Sequence, residues 1–357
     1  MSKTKDNVNQ QVEENNGNMI ATNNGVVYYG MNYTDVRSLC LDLIDEEINK
    51  AKQVALVEAK KRDNELVAQI LEKCASANIK PNDIMGAFEE PSLQLDFIEA
   101  EKAYIKYGTA ELRDLLSNLI VKRIKEPNHN LLQIALGEAI KTSPLLLPSQ
   151  INCLGLKFIL NHTRRLTVNS HASFSEYLNK YVIPIYEHGV SEKESEFQHL
   201  SYTRCATVSI ASYTLENIFL NNYTGLFFKG FDEKSLALID DEKSNILYPT
   251  LFTKCLNDNE KLQINTIDEE SLNKSFERLN VKDSHKKYIL SLFNSNKMST
   301  KEVKEKVIEI VPKMESIFKY WEDTLISRLT LSSVGIIIGA FAAENITNNI
   351  LDLSIWI

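Results

Sequence analysis

The chain has 357 residues, of which 43% are hydrophobic, and its formal net charge is −8 at neutral pH. This length and apolar content allow a substantial core, arranged as two domains or as one domain with appendages. The acidic surplus argues against a general nucleic-acid-binding protein, because the neutralisation of phosphates requires Lys and Arg concentrated on one face. We therefore expect protein partners and no nucleic acid.

Cysteine usage indicates a reducing compartment. The five cysteines are odd in number, far apart and mostly in apolar helical contexts: Cys40, Cys74, Cys153, Cys205 and Cys255. This pattern is typical of buried thiols rather than of a disulfide framework or a zinc site. The first thirty residues contain no apolar run long enough for a signal peptide. A cytoplasmic location is expected for the resting protein.

The N-terminal region predicts a flexible leader followed by a β-hairpin. Residues 1–18 are polar and rich in Asn and Gln, and cannot bury enough surface to become ordered. Residues 19–32 then read as two short strands joined by an Asn-Asn-Gly turn. The second strand contains Val26, Val27, Tyr28 and Tyr29. Because a lone hairpin is marginal in water, it should pair either with the body of the protein or with copies in neighbouring subunits, as an assembly element.

Residues 33–224 predict a helical domain. A long amphipathic helix is expected to start at Thr34 and to end either at Cys74 or at a break in the Lys60–Asn64 sequence KKRDN. Shorter helices follow, separated by Gly, Pro and capping residues, over 93–107, 112–124, 130–141, 150–161 and 174–188.

Two capping boxes are predicted in the later part of this domain. Ser173 with Glu176 would cap the helix over 174–188. Ser191 with Glu194 would open a last helix that reaches about Asn221, and no sheet is expected here.

The C-terminal part predicts a small mixed subdomain and a further set of helices. Residues 225–298 are predicted to form the small mixed subdomain, with two or three strands within about 225–270. Residues 299–357 begin with a Ser299–Glu302 capping box and an apolar stripe that is kinked near Pro312. The expected fold is mainly α: a multi-helix bundle with an N-terminal β-hairpin and a small α+β subdomain.

The most unusual stretch lies near the C-terminus. Leu329–Ala343 contains fifteen residues without a charge, and Gly335, Gly339 and Ala343 recur every four positions, which makes a smooth ridge on a helix. A membrane span needs ~20 predominantly apolar residues. Two interpretations therefore stay open: a buried core helix, or a segment that meets lipid or a neighbouring subunit after a conformational change.

The residues predicted for this membrane or oligomer segment are Val334, Gly335, Ile336, Ile337, Ile338, Gly339 and Phe341, with Trp321 and Trp356 at its ends. Tryptophans in such positions are typical of a membrane interface and equally of a protein core. If the ridge mediates contacts between subunits, leucine at both glycines should block membrane damage while the protein stays folded.

No catalytic motif is present. The chain lacks HExxH, a phosphate-binding loop, GxGxxG, paired CxxC and GxSxG. Cys153 and His162 are conceivable as nucleophile and base, but the apolar run between them favours a buried thiol. We expect no catalytic residues, no metal and no cofactor, and hence a protein that is not an enzyme.

Several stretches resemble a little-characterised family carried in bacterial and prophage genomes: Gly25–Leu43, Glu111–Arg123, Leu329–Gly339 and Asp352–Ile357. Within that group the chain is similar to ring-activated phage-defence proteins. The resemblance implies a protein that senses an oligomeric ring-shaped phage protein, assembles with itself, moves to the inner membrane and perforates it, causing growth arrest or death. It implies no catalytic residues and supplies no motif for the residues that contact the ring.

The expected function is therefore anti-phage defence through membrane permeabilisation. The alternative is a cytoplasmic scaffold or regulatory binding module without membrane activity, whose C-terminal segment is simply core. An enzyme of an unrecognised type is a third possibility.

Overall fold

The computed structural model describes residues 19–21, 27–29, 33–126, 129–239, 250–348 and 351–357. This part of the chain is mainly helical, as the sequence predicts. The chain divides into two compact units, Met1–Arg62 and Asp63–Ile357.

The first unit contains two strands and the start of a long helix. Strand β1 (Met19–Ala21) pairs antiparallel with β2 (Val27–Tyr29). Residues 1–18 and the predicted turn lie outside the described residues. The same holds for Val26 and for the side chains of Val27, Tyr28 and Tyr29, so the assembly role predicted for the hairpin falls outside them too.

Helix α1 (Tyr33–Ser76) begins in the first unit and ends in the second. It passes through Lys60–Asn64 without interruption, so the alternative of a break at KKRDN is wrong. The physical reason is that no Gly or Pro interrupts the sequence, and Lys, Arg, Glu and Ala are good helix formers. The helix ends before Asn78, whose φ of 54° is left-handed.

Five helices open the second unit: α2 (Pro81–Phe88), α3 (Pro91–Tyr107), α4 (Ala110–Lys125), α5 (Leu131–Thr142) and α6 (Pro148–His162). The last four confirm the predicted helices to within about two residues. Their ends follow local chemistry: Gly108 terminates α3 with a left-handed φ of 65°, and the Thr109 hydroxyl accepts the Leu112 N–H at 3.3 Å to start α4.

A helical run follows as α7 (His171–Tyr177), a π-helical turn (Leu178–Val182) and α8 (Ile183–Glu187). The capping box predicted at Ser173 and Glu176 is wrong. The N-cap is Ser170, whose hydroxyl accepts the Ser173 N–H at 3.2 Å, so the helix begins one turn earlier.

The helix predicted from Ser191 to about Asn221 is also wrong. That stretch forms α9 (Glu194–Tyr202), strand β3 (Ala206–Val208) and α10 (Leu215–Asn222). Arg204 takes a left-handed φ of 60° and turns the chain out of the helix. The strand pairs antiparallel with β6 (Leu329–Leu331), a partner more than a hundred residues away that no local pattern reveals.

A second cluster of buried side chains lies within residues 228–293, inside the range predicted for the mixed subdomain. Strands β4 (Phe252–Lys254) and β5 (Leu262–Ile264) pair antiparallel there. They are followed by α11 (Glu269–Arg278) and α12 (Asp283–Ser295). Asp268 caps α11 by accepting the Ser271 N–H at 2.7 Å.

The remaining helices are α13 (Thr300–Ile310), α14 (Met314–Asp323) and α15 (Ser333–Thr347), with a short 3-10 turn at Leu353–Ile355. The Ser299–Glu302 capping box is confirmed, with both reciprocal hydrogen bonds present. At Pro312 the predicted kink is a complete break between α13 and α14. Helix α15 lies in the larger hydrophobic cluster and packs mainly against α6.

Candidate functional site

Helix α15 contains the predicted membrane or oligomer segment, and both of its ends are fixed by hydrogen bonds. At the start, the Ser332 hydroxyl accepts the Gly335 N–H at 3.2 Å and donates to the Arg204 carbonyl at 2.6 Å. The Ser332 N–H donates to the Cys205 carbonyl at 3.0 Å. At the end, Asn348 takes a left-handed φ of 52°, and its N–H donates to the Glu344 carbonyl at 2.8 Å. The first turn of the helix is thus bound to Arg204 and Cys205, which directly precede β3. We call residues 204–208 the β3 segment.

The glycine ridge of α15 is occupied within the chain. A Cβ atom added to Gly335 would lie 1.9 Å from the Cys205 carbonyl oxygen, and one added to Gly339 would lie 2.6 Å from the Leu154 carbonyl oxygen. On the facing helix α6, a Cβ at Gly155 would lie 3.2 Å from the Cβ of Ala342. The glycines therefore allow backbone to approach backbone between α15, α6 and the β3 segment.

This packing corrects one expectation from the sequence. Leucine at Gly335 and Gly339 cannot leave the resting protein folded as described, because the added side chains would collide with backbone atoms that have no room to move.

The segment is also buried along its length. Ile337, Ile338 and Ala340 have no exposed surface, and of the seven predicted residues that lie on α15 Val334 alone is half-buried. The fifteen residues of α15 extend ~22 Å at 1.5 Å each, whereas the hydrocarbon core of a bilayer is ~30 Å thick. In the described ranges, no helix combines the length and the apolar character required to span a membrane.

Both predicted tryptophans are anchored by protein groups. Trp321 is buried, and its Nε1 donates to the Tyr213 carbonyl at 2.7 Å. Trp356 is half-buried; its Nε1 donates to the His162 carbonyl at 2.8 Å, and its ring lies edge-on to Phe158 with centroids 5.0 Å apart. In this state each indole N–H has a polar partner inside the protein.

A buried lysine, which sequence reasoning did not identify, lies beneath Trp321. Lys157 on α6 is 2% exposed, its Nζ has no hydrogen-bond partner, and it lies 4.7 Å from the centroid of the Trp321 ring. Burial lowers the pKa of Lys157 to about 8, against a smaller opposing effect of Cys153. The signal in the sequence was a single Lys within the apolar run LGLKFIL.

The same region contains the Cys153 thiol. Cys153 has no exposed surface, and burial raises its pKa to about 12, so the thiolate is not formed at neutral pH. The Tyr320 hydroxyl lies 3.6 Å from its Sγ and donates to the Ser191 carbonyl at 2.8 Å. The His162 ring instead stacks on Phe158. The arrangement fits the buried-thiol interpretation and does not assemble a nucleophile and a base.

A second apolar surface lies in the first unit and is exposed. Its large apolar side chains on α1 are between 42% and 70% exposed: Val36, Leu39, Leu41, Leu43, Ile44, Ile48, Val54, Leu56 and Val57. We call this set the α1 surface. At 100° per residue they form two stripes on different sides of the helix, one with Val36, Leu39, Leu43, Val54 and Val57 and one with Leu41, Ile44 and Ile48. Exposed apolar stripes of this kind are typical of interaction sites.

The described residues contain no group of three or more His, Cys, Asp or Glu side chains arranged to hold a metal ion.

No curated protein matches the chain, and no solved structure does so either. One protein-family model matches residues 30–357, which is nearly the entire sequence. The chain therefore belongs to this family, which is an uncharacterised one.

Proposed function

We propose that this protein acts in bacterial anti-phage defence without enzymatic activity: it recognises an oligomeric ring-shaped phage protein, assembles with itself and permeabilises the inner membrane, causing growth arrest or death. The observation that carries the proposal is the exposed α1 surface, because large apolar side chains exposed in this number along one helix are typical of a helix that a partner covers. The resemblance to ring-activated defence proteins supports the choice of trigger.

In the membrane step of this proposal, α15 has a second role: it leaves the core and enters lipid. Its run of uncharged residues can enter lipid only after the helix has left α6 and the β3 segment. Each large apolar side chain in the core contributes about 1.5–3 kcal/mol. Release of Ile337, Ile338 and Phe341 is therefore comparable with the whole stability of a domain and does not occur spontaneously. The trigger must bind the released state much more tightly than the resting one.

A second candidate function is a scaffold or regulatory binding module that uses the α1 surface and never contacts lipid. The packing of Gly335 and Gly339 against backbone carbonyls favours it, since this is how an ordinary core helix packs. The two candidates differ in one event, the departure of α15 from the core.

The function is tested by co-expression with phage structural proteins while membrane potential and oligomeric state are followed. We expect one ring-forming phage protein to produce both a larger assembly and depolarisation. Assembly without depolarisation supports the scaffold, and an absence of both with every ring-forming protein contradicts the proposal.

A disulfide lock tests the release of α15. Gly155→Cys with Ala342→Cys joins α6 to α15 where the Cβ positions are 3.2 Å apart, close to the ~3.5–4.5 Å of disulfides. Cys40→Ser removes the exposed thiol. We expect the oxidised protein to bind its trigger without releasing dye from liposomes, and dithiothreitol to restore release. Dye release by the oxidised form would exclude α15 from the membrane step, and Cys40→Ser with Gly155→Cys alone is the control.

A further inference from the structure

The α1 surface contains a seam typical of paired helices. Leu41, Ile44, Ile48, Ala51 and Ala55 recur at alternating spacings of three and four residues, the spacing of the apolar positions in a coiled coil. The three large side chains are 51%, 53% and 44% exposed. No Gly or Pro interrupts the helix over this seam. The seam therefore has the geometry to receive another helix lengthwise.

The two halves of this helix carry opposite charge. Residues 36–48 contain four acidic side chains and one basic one, whereas residues 49–62 contain five basic side chains and one acidic one. Some of these pair along the helix, as Lys50 does with Glu46 at 2.8 Å. Pairing within the helix does not change the net charge of either half.

We infer that the α1 surface binds a second copy of itself in antiparallel orientation. An antiparallel pair places the acidic half of each helix on the basic half of the other, whereas a parallel pair places like charges together. With the seams interdigitated, Ile48 lies against Ala51 of the second copy, so the two-fold axis passes midway between these two positions. On one flank of the seam Asp45 then faces Lys52 of the second copy. Because the axis is two-fold, every such contact occurs twice.

Charge also argues against a lipid surface as the occupant. Helices that lie on anionic membranes carry Lys and Arg along their entire polar face. Here the acidic residues Asp42, Asp45, Glu46 and Glu47 are exposed across one half of the helix and would be repelled by anionic lipid headgroups.

The inference deepens the self-assembly step and rests on the proposed function for its biological role. It concerns the resting chain alone, however, so it is tested without phage protein or membrane. A dimer of the predicted geometry together with a failure to depolarise cells would refute the proposed function and leave this inference intact.

Cross-linking of the full-length protein tests the orientation. Cys40 is the exposed cysteine, and Cys74, Cys153, Cys205 and Cys255 are buried. In the antiparallel pair Cys40 faces residue 61 of the second copy on the other flank of the seam. With the axis midway between positions 48 and 51, the two Cys40 residues lie ~30 Å apart along the helices. We expect Lys61→Cys to form a disulfide-linked dimer on mild oxidation. The wild type and Lys61→Cys with Cys40→Ser should not cross-link, and cross-linking of the wild type through Cys40 would overturn the orientation.

Charge reversal supplies an independent test. Asp45→Lys and Lys52→Asp should each raise the dimer Kd about fivefold, because each replaces two attractive contacts by repulsive ones. A chain that carries both substitutions should have a dimer Kd within about twofold of the wild type. Only the antiparallel pair explains this recovery, because it places position 45 of one copy opposite position 52 of the other. Light scattering and sedimentation measure the Kd. A wild type that stays monomeric, or one that binds phosphatidylglycerol vesicles as a monomer through Leu41, Ile44 and Ile48, would overturn the inference.

Discussion

Helix α15 and the α1 surface are both apolar, yet they differ in whether the protein itself covers them. On α15 the ridge is made of glycines, so backbone carbonyls of Leu154 and Cys205 fill it. On α1 the large residues of the seam are Leu41, Ile44 and Ile48, and these side chains are about half exposed. Hydrophobicity alone therefore does not identify an assembly surface; the size of the side chains and the presence of a partner decide it.

The two regions also differ in what a contact through them requires of the protein. A contact through α1 needs no rearrangement of the second unit, because its side chains are already exposed. A contact through α15 needs the core to open. Assembly and membrane damage, if both occur, are thus expected to have different energetic costs and to be separable by mutation.

The largest expected change in the free energy of unfolding is for substitutions of the α15 glycines. Gly335→Ala places a Cβ atom 1.9 Å from the Cys205 oxygen and should cost roughly 4 kcal/mol or prevent folding. Gly339→Ala, at 2.6 Å from the Leu154 oxygen, should cost roughly 2–3 kcal/mol. Urea denaturation followed by tryptophan fluorescence measures both free energies of unfolding.

Gly86→Ala is the control. Its added Cβ atom meets nothing within 4 Å, so this variant should be more stable than the wild type by about 0.5–1 kcal/mol. Native stability for Gly335→Ala would mean that α15 does not pack as described.

The outcome of the sequence predictions follows from how local each signal is. Helix boundaries between residues 91 and 162 and the Ser299–Glu302 cap were predictable, because caps, Gly and Pro act within a few residues. The pairing of β3 with β6 was not, since it joins residues over a hundred positions apart. The ridge on α15 was visible in the sequence, but its partner atoms on Leu154 and Cys205 were not.

A smaller change in the free energy of unfolding is expected for Lys157, whose ammonium group lies beneath Trp321 in the core without a hydrogen bond. Lys157→Met should raise the free energy of unfolding by about 1–3 kcal/mol at pH 7, because it removes a buried ammonium and keeps the volume.

The pH dependence checks the cause. Burial lowers the pKa of Lys157 from 10.5 to about 8, so between these values the unfolded state binds more protons than the folded state. The wild type should therefore gain stability as pH rises from 8 to 10.5, by roughly 2–3 kcal/mol relative to Lys157→Met. Exposed Lys319→Met on α14 is the control and should follow the wild type. Parallel curves for wild type and Lys157→Met would show that the ammonium is solvated.

The smallest change in the free energy of unfolding is expected for substitutions in the α1 seam, because the exposed seam contributes to assembly and not to the stability of the second unit. Leu41, Ile44 and Ile48 replaced together by Gln should change the free energy of unfolding by no more than about 0.5 kcal/mol below the concentration of dimer formation, because the substitutions remove no buried contact and keep helix propensity. Trp321 and Trp356 both lie in the second unit, so tryptophan fluorescence reports its unfolding directly.

The matched control is Leu66→Gln, which makes the same change on the same helix at a side chain with no exposed surface. It should lower the free energy of unfolding by about 3 kcal/mol. A loss of 2 kcal/mol or more in the triple variant would show that the chain itself covers the α1 surface, and the contrast with α15 would disappear.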